Sequence, residues 1–198
     1  MARLTDPAFR IRSGVIFAQV VFMFLALYGA GAVRFRAAPA LVATGFLFFL
    51  LWQVLDIVPR AVDAWAVSRV WAPAWLAAED PAARQGYLYA IRTWADVAAA
   101  LGIARRVAWG AGHLLFAPAF LRGDRLETAI GAFFAFNAAR LLPRSVGEIA
   151  RWPGLATLTT GKWWFVAGTL PLFALLGVWL WREASGRDAR TTFTRGAA

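Results

Sequence analysis

Between Arg12 and Arg34 the chain carries no charge, and four further apolar stretches follow, each bounded by basic residues. A run of about twenty uncharged residues, at 1.5 Å rise per residue, matches a hydrocarbon core of about 30 Å. Lipid offers no hydrogen bonds to exposed peptide groups, so spanning segments must be helices; the alternating strands of a closed barrel are absent. The expected architecture is therefore all-α: a polytopic helical membrane bundle of about five transmembrane helices. An amphipathic interfacial segment and one long helix extending beyond the bilayer complete it.

Composition agrees. At 198 residues, 61% hydrophobic, with mean hydropathy +0.58, the chain exceeds the roughly 45–50% apolar content of soluble domains, and the excess reads as lipid-facing surface. There is no cysteine, which excludes a disulfide framework, a thiolate nucleophile and cysteine-ligated zinc or iron–sulfur clusters. The net charge of +10 comes from arginines spread along the chain at segment ends, with Lys162 the single lysine. Such spacing suits lipid headgroups and not nucleic acid, which asks for a basic block or stripe. The bias toward arginine points to a GC-rich bacterial genome, and with it to a bacterial cytoplasmic membrane.

The first span is expected over 13–33. Arg3, Arg10 and Arg12 ahead of it, and Ala30-Gly31-Ala32 at its end, imitate a signal peptide, but the apolar run is too long for a signal h-region of about 7–15 residues and reads as a retained span. The second span is expected over 38–58, opening at Pro39 and closing before Pro59. Over 60–96 the pattern becomes mixed. Arg60, Asp63 and Arg69 alternate with Trp65, Trp71 and Trp75, as suits a helix lying at headgroup level. Asp80-Pro81 is a helix start, an N-cap followed by a proline at the first helical position. Nothing resembling a turn follows until Pro118 and Arg122-Gly123-Asp124, so one helix runs from Pro81 through Phe120, with its membrane portion over 97–121. The fourth span, 126–142, carries Ala129, Ala132, Ala135 and Ala139 as a stripe for close helix approach. Trp152-Pro153-Gly154 breaks the chain before the fifth span, 163–181, which has tryptophans at both ends and Pro171 near its middle, where carbonyls are freed for a neighbour to satisfy.

The tail from 183 to 198 is polar and reads as poorly ordered. With five spans, the N-terminus and the second and fourth loops hold the larger share of basic residues, so the N-terminus is expected in the cytoplasm.

Four residues could carry chemistry. His113, the only histidine, stands mid-span in Trp109-Gly110-Ala111-Gly112-His113. An imidazole in hydrocarbon needs a partner, either another span or a ligand such as a haem or chlorophyll, which the flanking glycines would let approach and Met23 could help ligate. Asp56 stands four residues before Arg60, either as half of an interfacial ion pair or as a proton or cation site facing the bundle. Asn137 and Arg140 share a face of the fourth span, where Asn137 is interhelical glue or, with His113 and Asp56, part of one polar pocket. No H-E-x-x-H, Walker A, G-x-S-x-G or G-x-G-x-x-G pattern occurs, so no cofactor is assigned.

The expected function is therefore a non-enzymatic integral membrane protein, an accessory or assembly subunit of a membrane complex or a structural bundle. Its expected partners are membrane lipids and other membrane subunits or copies of itself. The second expectation is a membrane-embedded protein that binds or moves an amphipathic small molecule, lipid, quinone or pigment.

Overall fold

The computed structural model describes the backbone of residues 7–157 and 162–195, with side chains from Val15 to Thr157, apart from Ile16, and from Trp163 to Gly186, apart from Phe165. Among the described residues there is helix and no strand. The elements are α1 (Pro7–Arg34), α2 (Pro39–Val62), a π-helical segment (Asp63–Trp71), α3 (Ala72–Ala77), α4 (Pro81–Leu121), α5 (Arg125–Ile149), α6 (Pro153–Ala156) and α7 (Lys162–Arg195). Helix α4 is the centre of the bundle. It packs most extensively against α5 and α2, while α7 leans on α5 and α1 rests on α2 and α7. Two helical stretches, Phe17–Arg34 and Pro39–Ala77, are long and apolar enough to cross a membrane.

Local chemistry fixes several boundaries. Helix α4 starts where expected: the Asp80 carboxylate accepts hydrogen bonds from the amides of Ala82 (3.2 Å) and Ala83 (3.1 Å), with Pro81 in the first turn. The start of α5 is a capping box. Glu127 N–H donates to Asp124 (3.0 Å) and Asp124 N–H donates back to Glu127 (3.0 Å). Its end is set by Arg151, whose φ of 54° turns the chain so that Trp152 N–H reaches the Gly147 carbonyl (2.7 Å).

The expected break at Pro59 is absent. Helix α2 runs through Pro59 into the π-helical segment and on to Ala77, so the stretch from Arg60 onward is no separate interfacial helix in its backbone. A proline removes one amide from the ladder, and the wider π turn that follows absorbs the misfit, with Ser68 Oγ donating to the Asp63 carbonyl (2.6 Å). The continuation lies against the N-terminal half of α4, where Trp94 Nε1 donates to Asp63 (2.7 Å). Two long helices, not one, therefore project past the rest of the bundle. At the other end of the chain, α7 continues in its backbone to Arg195, beyond the boundary expected at Trp181 and into the stretch read as a polar tail, whose last residues, 196–198, lie outside the described residues.

The core is a column of rings. Phe49 packs edge-on against Phe116 (5.0 Å between centroids) and Trp109 (5.4 Å), Phe116 meets Phe134 (5.5 Å), and Phe120 meets Trp179 (5.1 Å). Glycines make room for it. A Cβ on Gly45 would come within 2.7 Å of the Phe116 ring, and one on Gly131 within 2.8 Å of the Leu121 amide nitrogen, where the backbones of α4 and α5 all but touch. The alanine stripe expected to make the close approach on α5 points elsewhere. Ala132 and Ala139 are exposed, and the buried face carries Ile130, Gly131, Phe134, Asn137, Ala138 and Leu141. Alanine spacing alone leaves two faces open, and the large rings and the asparagine decide between them, because those groups gain most from burial or from a partner.

Candidate functional site

Polar side chains gather in three layers. At one end of the bundle Asp56, 3% exposed, accepts from Arg60 Nε (2.8 Å) and Nη2 (3.1 Å) and from Arg105 of α4. The Asp56–Arg60 pair expected from the i, i+4 spacing is thus formed, and α4 adds a second arginine. Beside it Glu148 accepts from Arg144 (3.0 Å) and from Arg106, linking α4 to α5. At the opposite end Glu127 is engaged by Arg34 and by Trp179 Nε1 (3.1 Å), while Arg182 pairs with Asp124 (2.6 Å). The Glu127 amide, and then Arg182, hold the Asp124 carboxyl below the usual carboxylate range. Arg34 lies over the rings of Phe120 (5.0 Å) and Trp179 (5.5 Å). Trp179 is thus a core residue with a buried partner and no part of the expected interfacial belt, whereas Trp163, Trp164 and Trp181 are exposed. From Arg105 to Arg122 along α4 the two charged ends lie about 26 Å apart.

The middle layer joins α5 to α7. Asn137 donates to the Phe133 carbonyl (3.0 Å) and to the Gly168 carbonyl (2.9 Å), and its Oδ1 accepts from Arg140 Nε (2.9 Å). Arg140 also reaches Thr169 Oγ1 (3.4 Å). Pro171 removes the amide that the Ala167 carbonyl would accept from, so the carbonyl expected to be freed is the neighbour of the one that Asn137 reaches. Gly168 stands three residues before Pro171, and a Cβ at Gly168 would lie 2.6 Å from Asn137 Oδ1, so glycine is required for the contact. The asparagine acts as interhelical glue.

His113 is fully buried between Trp109 (4.3 Å between centroids), Phe49 (5.3 Å) and Phe134 (5.3 Å). Its Nδ1 donates to the Trp109 carbonyl (2.7 Å), and Nε2 has no hydrogen-bond partner among the described residues. The glycines beside it are filled from within the protein. A Cβ on Gly112 would meet Phe49 at 2.6 Å and one on Gly110 would meet Leu142 at 2.8 Å, so neither presents open backbone to a flat macrocycle. Met23 stands on α1, where its sulfur accepts from Gln19 (3.7 Å).

Of the four candidate residues, the structure bonds Asn137 to Arg140 and holds Asp56 in its own ion-pair cluster at one end. His113 bonds within its own helix. A groove of about 410 Å³ between α2, α4 and the end of α5 and a cavity of about 220 Å³ at the α1–α2 turn are lined by none of the four. Among the described residues no group of three or more His, Asp or Glu could hold a metal ion. The second arginine on Asp56 and the Glu127 cluster were missed in the sequence. The capping pattern Asp124-x-x-Glu127 could have flagged the latter, whereas nothing local pairs Arg105 with a residue forty-nine positions away. No family model, no curated protein and no solved structure matches this chain.

Proposed function

We propose that the chain is an integral protein of a bacterial cytoplasmic membrane that crosses it five times with its N-terminus in the cytoplasm, and that it serves as a non-enzymatic accessory or assembly subunit or structural bundle. The crossing portions would be 13–33, 38–58, 97–121, 126–142 and 163–181. One observation carries the reading: large apolar side chains stand exposed along the middle of the bundle, while several polar ones lie buried among the core rings. Gln53, Asp56, His113, Asn137, Arg140, Ser145 and Thr169 are buried, while Phe22 is 71% and Leu47 63% exposed. In water those exposed side chains would forfeit the hydrophobic driving force; in lipid they stand against hydrocarbon, and buried Asp56, Asn137, Arg140, Ser145 and Thr169 each have a partner. The separation of about 26 Å between charged ends suits a hydrocarbon core of about 30 Å.

The ion pairs of Asp56, the hydrogen bonds of Asn137 and the rings packed around His113 support scaffolding over chemistry, since none of the three lines the groove or the cavity. A subunit is expected to keep company when extracted gently. Native mass determination after mild solubilisation should find an assembly heavier than the 21.7 kDa chain, and a lone monomer would contradict the subunit form.

A second reading, binding of an amphipathic small molecule or lipid, is supported by the groove of about 410 Å³, whose walls include Phe48, Leu55, Ile103, Val107 and Ile149 and carry no charge.

A further inference from the structure

The cavity of about 220 Å³ lies where the α1–α2 turn meets the end of α4, with Arg34, Ala37, Ala38 and Leu41 on one side and Ala119 and Arg122 on the other. The charged side chains on its wall are both guanidinia. The Arg122 side chain has no hydrogen-bond or ion-pair partner among the described residues. Arg34 Nε is buried without an acceptor, although the same guanidinium pairs with Glu127. The amides of Ala37 and Ala38 are spent on the Arg34 carbonyl (3.0 and 3.3 Å). Ala38 then stands at the N-cap of α2 with no side-chain acceptor to offer, so the first turn of α2, which puts Leu41 on the cavity wall, is uncapped.

Among the residues whose side chains are described, five arginines (34, 36, 122, 125 and 182) share this end of the bundle with three carboxylates. All three are taken: Asp124 by Arg182, Glu127 by Arg34 and Trp179, and Glu183 by Arg182. Arg122, an exposed side chain on the cavity wall, thus has none of these carboxylates, and the first turn of α2 has no acceptor from its N-cap. Paired guanidinia and helix-terminal amides around a cavity match an oxyanion with several acceptor oxygens, and the apolar wall of Leu41 and Ala119 suits a group that also bears carbon.

We propose that this cavity binds a phosphate ester, supplied by the headgroup of an anionic phospholipid. The lipid source rests on the membrane reading given above; the phosphate chemistry does not.

The test uses the full chain purified in a phosphate-free maltoside detergent. Native mass spectrometry would compare retention of phosphatidylglycerol with that of phosphatidylcholine, and calorimetry would titrate glycerol phosphate. Wild type should retain phosphatidylglycerol about tenfold better than phosphatidylcholine, and Arg122→Gln should abolish the preference. Arg36→Gln, which alters the same end outside the cavity, should leave it unchanged and so serves as the control for net charge. Binding of glycerol phosphate that Arg122→Gln weakens about tenfold would uphold the phosphate site even if no lipid were retained. Equal behaviour of wild type and Arg122→Gln in both arms, or binding in neither, would overturn the proposal, as a merely solvated arginine predicts.

Discussion

Replacing Asp56 with leucine is expected to destabilise the protein by about 3 kcal/mol, more than replacing either arginine that it holds. The carboxylate is buried, and three guanidinium nitrogens converge on it from two helices. Leucine would fill the space but leave Arg60 and Arg105 facing each other with no anion between them. Their side chains are 36% and 34% exposed, so both can turn partly to water, which places the cost at the lower end of the range for breaking a buried pair. Arg60→Gln removes two of the three nitrogens, both from Asp56's own helix, and keeps the contact between α2 and α4 through Arg105, so a loss of about 1 kcal/mol is expected. Equilibrium unfolding in detergent micelles separates the two variants. Equal losses would show that Asp56 is tied to its own helix alone and does not join α2 to α4.

The second large effect is expected at Gly131. A Cβ there would lie 2.8 Å from the Leu121 amide nitrogen and 3.1 Å from the Ala117 carbonyl oxygen, and both are backbone atoms of α4. Backbone cannot rotate out of the way, so a side chain must push α4 and α5 apart along the most extensive contact in the bundle. Gly131→Val is expected to cost about 3 kcal/mol. The control is Gly177→Ala. It too lies within a helix, and nothing lies within 4 Å of its Cβ position, so the better helix propensity of alanine should raise stability by up to about 1 kcal/mol. Opposite signs at the two sites in the same unfolding assay would separate helix approach from propensity. A tolerated valine at Gly131 would refute the close packing of α4 on α5.

Much of this architecture follows from short-range rules, which is why it could be read from residues. The start of α4 needs only Asp80 and Pro81, and the Asp56–Arg60 pair needs only one helical turn. What escaped reading depends on partners distant in the chain. A proline ends most helices, so Pro59 reads as a terminator, but the neighbouring α4 supports the continuation to Ala77. The alanines of α5 were given the packing face because small residues permit approach, yet the position of Phe134 and Asn137 decides which face turns inward. Trp179 read as an interfacial ring because it stands near a charged helix end. Its true setting is a bond to Glu127, fifty-two residues earlier in sequence. For His113 the flanking glycines were visible, but what fills the space beside them, Phe49 and Leu142, comes from other helices.

The central claim is that the oily exterior faces lipid, and the lack of native cysteine makes it directly measurable. Single cysteines would be placed at Phe22, Leu47 and Leu170, exposed positions far from both charged ends, and at Arg36, Gly123 and Trp152, exposed positions at the ends. The chain in intact membrane vesicles, opened briefly so that both surfaces are reached, would then be treated with a water-soluble maleimide. Cysteines at 36, 123 and 152 should react, and those at 22, 47 and 170 should stay unlabelled despite having no protein cover. Labelling of all six at similar rates would mean that the band stands in water, and would contradict the account.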